Sequence, residues 1–377
     1  MPKLTFFPLG NADTTLIELT GGEKILVDYA NRRSADDKED KRIDLPAELR
    51  KSLGTSSYFD VVAFTHLDQD HYDGTSDFFF LEHDKAYQKK VDNKDRIKIN
   101  TLWVPAAVIT EDLKEEESKV VQAEARYRLK QGKGIRVFSS PNRLEDWLKE
   151  NGLKLKDVEH LIVDAGTTAP EFNLEDHGVE FFIHSPFATR QDENELECRN
   201  DDALVMQATF KVNEETTKVL LFADINYEVI DDIVKQTKHH DNEERLEWDV
   251  FKISHHCSYT AIGPDKGDDQ TEPSENVNWL FREQGQSKGI LVSTSKPTPK
   301  KGSDEDKDDQ PPHRQAASYY KEIAKEKSGE FIVTMEHPSV STPQPIIIEI
   351  DQFKATVKRF MNVGVAAAAS VKAPRAG

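Results

Sequence analysis

The sequence predicts an α/β protein built on two β-sheets, and two observations carry this. Short apolar, β-branched runs recur between polar turn residues: Asp60–Phe64, Lys218–Asp224, Trp248–Ile253 and Gly289–Ser295, the last with a hydroxyl-rich end. Runs of that length and punctuation read as buried strands. Helical stretches lie between them, at 47–53, at 144–149 and from Pro312 to about Lys327. Strands, helix, strands and helix therefore follow one another, as in a layered α/β fold.

The totals bound the problem. A chain of 377 residues can bury a large core, as one large or two small domains. No apolar run approaches a membrane span, and the mean hydropathy is −0.67. The opening Met1-Pro2-Lys3-Leu4 leads straight into a strand pattern and is no signal peptide. Cys198 and Cys257 are too few for a disulfide framework, so a reducing, cytoplasmic setting is expected. The net charge of −19 opposes broad, non-specific contact with nucleic acid. A local basic groove, or a phosphate held by metal, remains compatible with it.

Residues 3–8, 14–19 and 24–28 read as strands, separated by Gly10-Asn11-Ala12-Asp13 and the Gly21-Gly22 turn. Asp13 and Asp28 fall at strand ends, as groups that orient ligands or as turn residues bonding backbone. The next strand, Asp60–Phe64, runs into Thr65-His66-Leu67-Asp68-Gln69-Asp70-His71-Tyr72-Asp73-Gly74. His66, Asp68, Asp70 and His71 thus crowd the point where a strand becomes a loop. His and carboxylate ligands at that spacing suit Zn²⁺, Mn²⁺ or Fe.

Further on, 101–105, 135–138, 160–163 and 179–186 suit strands, and 111–131 reads as a solvent-facing helix of mixed charge. The run Lys218–Ala223 ends on Asp224; a buried strand ending on a charge requires a partner for it. Trp248–Ile253 leads into Ser254-His255-His256-Cys257-Ser258. Strands are expected again at 331–334 and 345–350. Charged insertions fall near 31–56, 83–98 and 297–311, the last expected to be mobile, and 362–377 reads as a disordered tail. His83, His160, His177, His239, His240 and His337 lack ligand-like neighbours in sequence.

The 66–71 cluster resembles the His-x-His-x-Asp-His hallmark of the metallo-β-lactamase superfamily, with Asp68 at the second His place. That substitution, Gly10 with Asp13 and Asp28, the Asn200–Asp202 stretch, Asp224, and Asp249-Val250-Phe251-Lys252 before the paired His are most similar to the soluble relatives of the competence-type DNA-uptake channel hydrolase domain. The resemblance implies an αββα sandwich, two mixed β-sheets with helices outside, over a single domain 1–361. It also implies two divalent metal ions, Zn or Mn. His66, Asp68 and, where many superfamily members place a third His, His184 would hold one ion. Asp70, His71 and His255 would hold the other, and Asp224 would bridge. Only one of the adjacent pair is expected to serve, and His255 stands at the strand end; on an extended chain the two side chains point oppositely. Asp70, Asp224 and His313, at the start of the last helix, are the candidate catalytic residues. Cys257 stands at a place usually Gly, as a small buried thiol or a soft ligand.

The implied activity is hydrolysis of a phosphodiester, as a phosphodiesterase or nuclease using a hydroxide held between the metals. A single strand or a nucleotide would need fewer basic contacts than duplex DNA. Two alternatives stay open: hydrolysis of a lactone, amide or thioester, and a non-catalytic metal-binding subunit of a larger, possibly defence, complex. No membrane partner is expected; a protein partner or a homo-oligomer stays open.

Overall fold

Three apolar clusters set the layer order. The computed structural model describes residues 1–83, 95–188 and 199–359. The expected tail 362–377, most of the insertion 83–98 and Cys198 lie outside the described residues.

The first sheet has ten described strands: β1 (Lys3–Phe6), β2 (Thr15–Glu18), β3 (Lys24–Val27), β4 (Tyr58–Ala63), β5 (Phe79–Phe80), β6 (Ile97–Pro105), β7 (Ile135–Phe138), β8 (Ile162–Val163), and from the end of the described chain β15 (Ile346–Ile350) and β16 (Ala355–Val357). Their order is β16-β15-β1-β2-β3-β4-β6-β7-β8, with β5 beside β6. It is antiparallel from β16 to β3 and parallel from β3 to β8. The second sheet holds β9 (Val179–Ser185), β10 (Val205–Val212), β11 (Glu215–Leu221), β12 (Trp248–Lys252), β13 (Gly285–Ser293) and β14 (Glu330–Val333), in the order β14-β13-β12-β11-β10-β9. It is parallel from β11 to β14 and antiparallel at β9–β11.

Side-chain alternation explains why the strands read as continuous apolar runs. In β4, Val61 and Ala63 face the second sheet while Val62 faces helices; in β11, Val219 and Leu221 face the first sheet while Leu220 faces helices. Both faces of each strand are buried, as expected for parallel sheets. Between the sheets, Trp103 meets Phe138 and Phe181 edge-on, with ring centroids 5.5 Å apart in each case. The helices Leu45–Leu53, Glu116–Gln131 and Asn142–Glu150 cover the first sheet, and Tyr227–His239, Glu275–Arg282 and Arg314–Glu326 cover the second. This is the expected αββα sandwich of two mixed sheets.

Several local expectations are corrected. The stretch expected as a solvent-facing helix is Glu116–Gln131, and one face is buried: Val121, Ala125 and Leu129 lie on the sheet. Beside them, Arg128 closes on Glu124 at 2.6 Å and donates to the Ile99 and Gly134 carbonyls. A mutually satisfied ion pair made a buried face look polar. Segment 297–311, expected as mobile, forms turns fastened by Lys266, which donates to the Asp306 and Asp308 carbonyls, and by Arg314 on Asp306. His83, which lacked ligand-like neighbours in sequence, lies 3.1 Å from Glu124.

Candidate metal centre

The centre forms where β1–β4 of one sheet and β11–β12 of the other end at the same edge of the sandwich. Past β4, Thr65 and His66 continue inward, and Gln69–Tyr72 closes one helical turn that returns His71 beneath His66. The two rings lie 4.0 Å apart. Backbone bonds from Asp13 N to Asp70 O and from Tyr29 N to His71 O tie this turn to the loops after β1 and β3.

Four ligand-type atoms, from Asp13, His71, Asp224 and His256, lie within 4.8 Å of one another, and all four residues are buried. His71 Nε2 is 3.4 Å from Asp224 Oδ2 and 4.0 Å from Asp13 Oδ2. His256 Nε2 is 3.2 Å from Asp224 Oδ2 and 3.1 Å from Asp70 Oδ2. Asp68 Oδ2 lies 3.7 Å from His66 Nε2. Groups behind these ligands fix their orientation. Asp28 accepts from Thr65 N and Thr65 Oγ1 at 2.7 and 2.8 Å, and its Oδ2 is 2.8 Å from His71 Nδ1. Thr294 O is 2.7 Å from His256 Nδ1. Each bond turns the ring's Nε2 toward the cluster, the arrangement metal-binding histidines use.

Charges in the cluster are strongly coupled. Burial opposes a charged His71, but Asp28 and Asp224 outweigh it and raise its pKa well above the ordinary value. For His256 burial is likewise outweighed, by Asp224 first and then Asp70. His66 goes the other way: burial and the neighbouring His71 charge lower it. Burial opposes the Asp224 carboxylate, yet His256 and His71 hold its pKa well below the usual range.

The residues fit divalent cations. His66 Nε2, His71 Nε2, Asp13 Oδ1 and Asp224 Oδ1 are buried without a hydrogen-bond partner. Orphaned buried atoms of this kind are costly, and ions would satisfy several at once. Imidazole nitrogen mixed with carboxylate oxygen is a donor set for Zn²⁺ or Mn²⁺.

The structure brings together His66, Asp68, Asp70, His71 and Asp224, and departs from expectation at three residues. The first is His255: His256 enters the cluster instead. His255, His256 and Cys257 have φ of 47°, 50° and 68°. Three successive left-handed residues make a tight turn, so the alternation of an extended chain does not apply. Bonds from Cys257 N to Ser254 O, Ser258 N to His255 O and His313 N to Cys257 O hold that turn. Cys257 is a buried thiol in the outer core, its pKa pushed up by burial, and not a ligand of the cluster. The second is His184. Phe181 and Ile183 face the inter-sheet core, so His184 points to the opposite face, where Nε2 is 2.9 Å from Arg245 O. The third is His313, which is only 2 % exposed, with Nδ1 accepting from Tyr259 N at 3.2 Å. It is a buried residue preceding the helix Arg314–Glu326 and does not line the pocket above the cluster.

Sequence reasoning missed Lys252. Its Nζ is 2.5 Å from Asp13 Oδ2 and donates to Phe222 O at 2.7 Å. Burial disfavours its charge, but Asp13 first, then Asp224, raise its pKa above the ordinary lysine value. The signal was present: a lysine inside the apolar run Val250–Ile253 requires a buried partner, by the argument applied to Asp224. Asp13, read as a turn or orienting residue, stands within the cluster itself. The Asn200–Asp202 turn adjoins the site through Leu204 N, which donates to Thr65 O at 2.9 Å.

Among the described residues no helix is long and apolar enough to cross a membrane. No family model and no curated protein matches the sequence. Solved structures do. Unliganded yeast PDE1 is similar at 10% identity and a TM-score of 0.42, over 88% of this chain and 97% of that one. The long form of RNase Z from yeast gives 13% identity and 0.35, over 80% and 38%. MEM-A1, a subclass B3 metallo-β-lactamase from a soil metagenome library, gives 11% and 0.31, over 66% and 78%. Likenesses this distant fix no reaction and no substrate; the layer order and sheet topology are those of an αββα sandwich of two mixed sheets.

Proposed function

We propose that the chain is a metal-dependent phosphodiesterase, related to the soluble relatives of the competence-type hydrolase domain and formed by residues 1–361 as one domain. The observation that carries this is the convergence of Asp13, His71, Asp224 and His256 on one buried point, with Asp70 and His66 against it. Asp70, His71, His256 and Asp224 would hold one ion; His66, Asp68 and a shared Asp224 would hold a second. Bound divalent ions supply Lewis acidity, lowering the pKa of a water and stabilising charge on a phosphoryl oxygen. Asp28 holds His71 in one tautomer and direction, and the Thr294 carbonyl does the same for His256. Lys252 offsets the charge of Asp13, so the cluster carries one fixed cation of its own. Asp68, in place of a neutral imidazole, adds a hard oxygen donor and moves preference toward Mn²⁺ over Zn²⁺. The two-cysteine composition agrees with action in the cytoplasm.

Metal analysis of the purified chain, combined with hydrolysis of bis(p-nitrophenyl) phosphate in Mn²⁺ or Zn²⁺, tests the reading. Cleavage that needs added metal and disappears in a folded Asp224→Ala variant supports it. Cleavage of esters, lactones or thioesters with no phosphodiester turnover overturns it.

A further inference from the structure

A pocket of about 640 Å³ opens directly over Asp70 and His256. That volume lies within the range of sites that enclose a small molecule. One wall comes from the 31–56 insertion, through Arg32, Lys41 and Arg42; the other comes from Lys296, Pro297 and Pro311. Asn11 fastens the second wall to the loop that carries Asp13. Its Nδ2 donates to Pro311 O at 2.5 Å, and its Oδ1 accepts from Lys296 N at 3.0 Å.

The charges on these walls are mostly committed. Arg42 closes on Asp40, with Nε 2.9 Å from Oδ1 and Nη2 2.6 Å from Oδ2. Lys41 lies 3.8 Å from Glu39, and Arg32 3.7 Å from Asp73. Lys296 is exposed and, among the described residues, forms no ion pair, while its backbone is pinned by Asn11. One ammonium therefore stands uncommitted beside the candidate centre. Among the described residues no Phe, Tyr or Trp lines the pocket; besides His255 and His256, its lining is aliphatic at Leu9, Pro297, Pro311, Met335 and Val340.

Polymer binding requires other equipment. Single strands are held by aromatic platforms along a cationic track, and duplexes by many unpaired Lys and Arg. Among its described lining residues the pocket has neither, and the chain carries a net charge of −19. We propose that the pocket selects compact phosphodiesters of mono- or dinucleotide size over polymers, with Lys296 contacting a phosphate other than the one cleaved. This rests on the phosphodiesterase reading and narrows it to a substrate class.

The test uses the full chain in Mn²⁺ or Zn²⁺ with three substrates: a 5′-phosphorylated dinucleotide, a long single-stranded oligonucleotide, and bis(p-nitrophenyl) phosphate, which has no second phosphate. The dinucleotide is expected to show the highest kcat/KM. Lys296→Glu should raise its KM by about tenfold, the order for losing one charge-assisted hydrogen bond, with kcat retained. Its effect on bis(p-nitrophenyl) phosphate, which offers no second phosphate, should be several-fold smaller than on the dinucleotide. Calorimetry on chelator-treated protein gives a second readout: a phosphorothioate dinucleotide should bind Lys296→Glu correspondingly more weakly than the unaltered chain. Preference for the oligonucleotide, or a variant that binds and turns over the dinucleotide normally, overturns the inference while the phosphodiesterase reading stands. Failure to cleave any phosphodiester with either metal overturns both.

Discussion

Replacing Lys252 by Met removes an ammonium and keeps an unbranched stem. The Lys252 and Asp13 side chains are 5% and 1% exposed, and their charged atoms are 2.5 Å apart. Removing one member of such a pair leaves the other charge buried alone, which costs about 3–5 kcal/mol. The Phe222 carbonyl also loses its 2.7 Å donor. In chelator, Lys252→Met is therefore expected to lose about 4 kcal/mol of unfolding free energy. The double variant Lys252→Met with Asp13→Asn, which leaves no unpaired charge, should regain roughly half of that. Added Mn²⁺ or Zn²⁺ should stabilise Lys252→Met more than the unaltered chain, because Asp13 is then free to act as a ligand. Urea unfolding followed by tryptophan fluorescence reads all three, since Trp103 and Trp248 are fully buried. A chelator-treated Lys252→Met within about 1 kcal/mol of the unaltered chain, or a double variant no better than the summed singles, would refute the reasoning.

Other substitutions probe other parts of the structure. His256→Ala should weaken metal binding by more than about tenfold, whereas His255→Ala should change it little; equilibrium dialysis separates the two, and equal losses would return His255 to the cluster. His184 titrates near 4 because burial disfavours its charged form, with the Arg245 carbonyl only partly offsetting this. Above pH 6.5 it is neutral in both states and contributes no pH dependence. Below that the unfolded chain takes up a proton the folded chain refuses, so stability falls as pH drops toward 4. His184→Gln should remove about 3 kcal/mol of that loss, seen as a shallower pH dependence of denaturant midpoints in chelator. At Gly329 an added Cβ would lie 2.0 Å from the Gly289 carbonyl oxygen, across the β13–β14 pair. Gly329→Ala should cost about 1–3 kcal/mol, and an unchanged melting temperature would show that these strands shift freely.

The fold was legible where burial on both strand faces left unbroken apolar runs, as in β4 and β11. The centre was legible where ligand-type residues adjoin such a run, from His66 to His71 and at Asp224. It was illegible where backbone conformation decides direction: nothing local distinguishes His255 from His256 until the left-handed turn swings His256 inward. His184 could have been assigned to the outer face, because it alternates with Phe181 and Ile183. The helix Glu116–Gln131 was misread because its buried face is polar and satisfies itself through Glu124 and Arg128. Segment 297–311 was misread because its composition does not show that Lys266, Asn11 and Arg314 hold it in place. Long-range partners of this kind leave no mark on local pattern.

The placement of β15 constrains how this protein can be made. Strand β1 lies between β2 and β15, and Ile346, Ile348 and Ile350 close the space between the two sheets. During synthesis β1 therefore lacks one permanent neighbour until β15 has left the ribosome. A chain stalled short of Ile346 presents an apolar edge that another nascent copy can pair with, so aggregation of truncated products is the expected hazard of this connectivity.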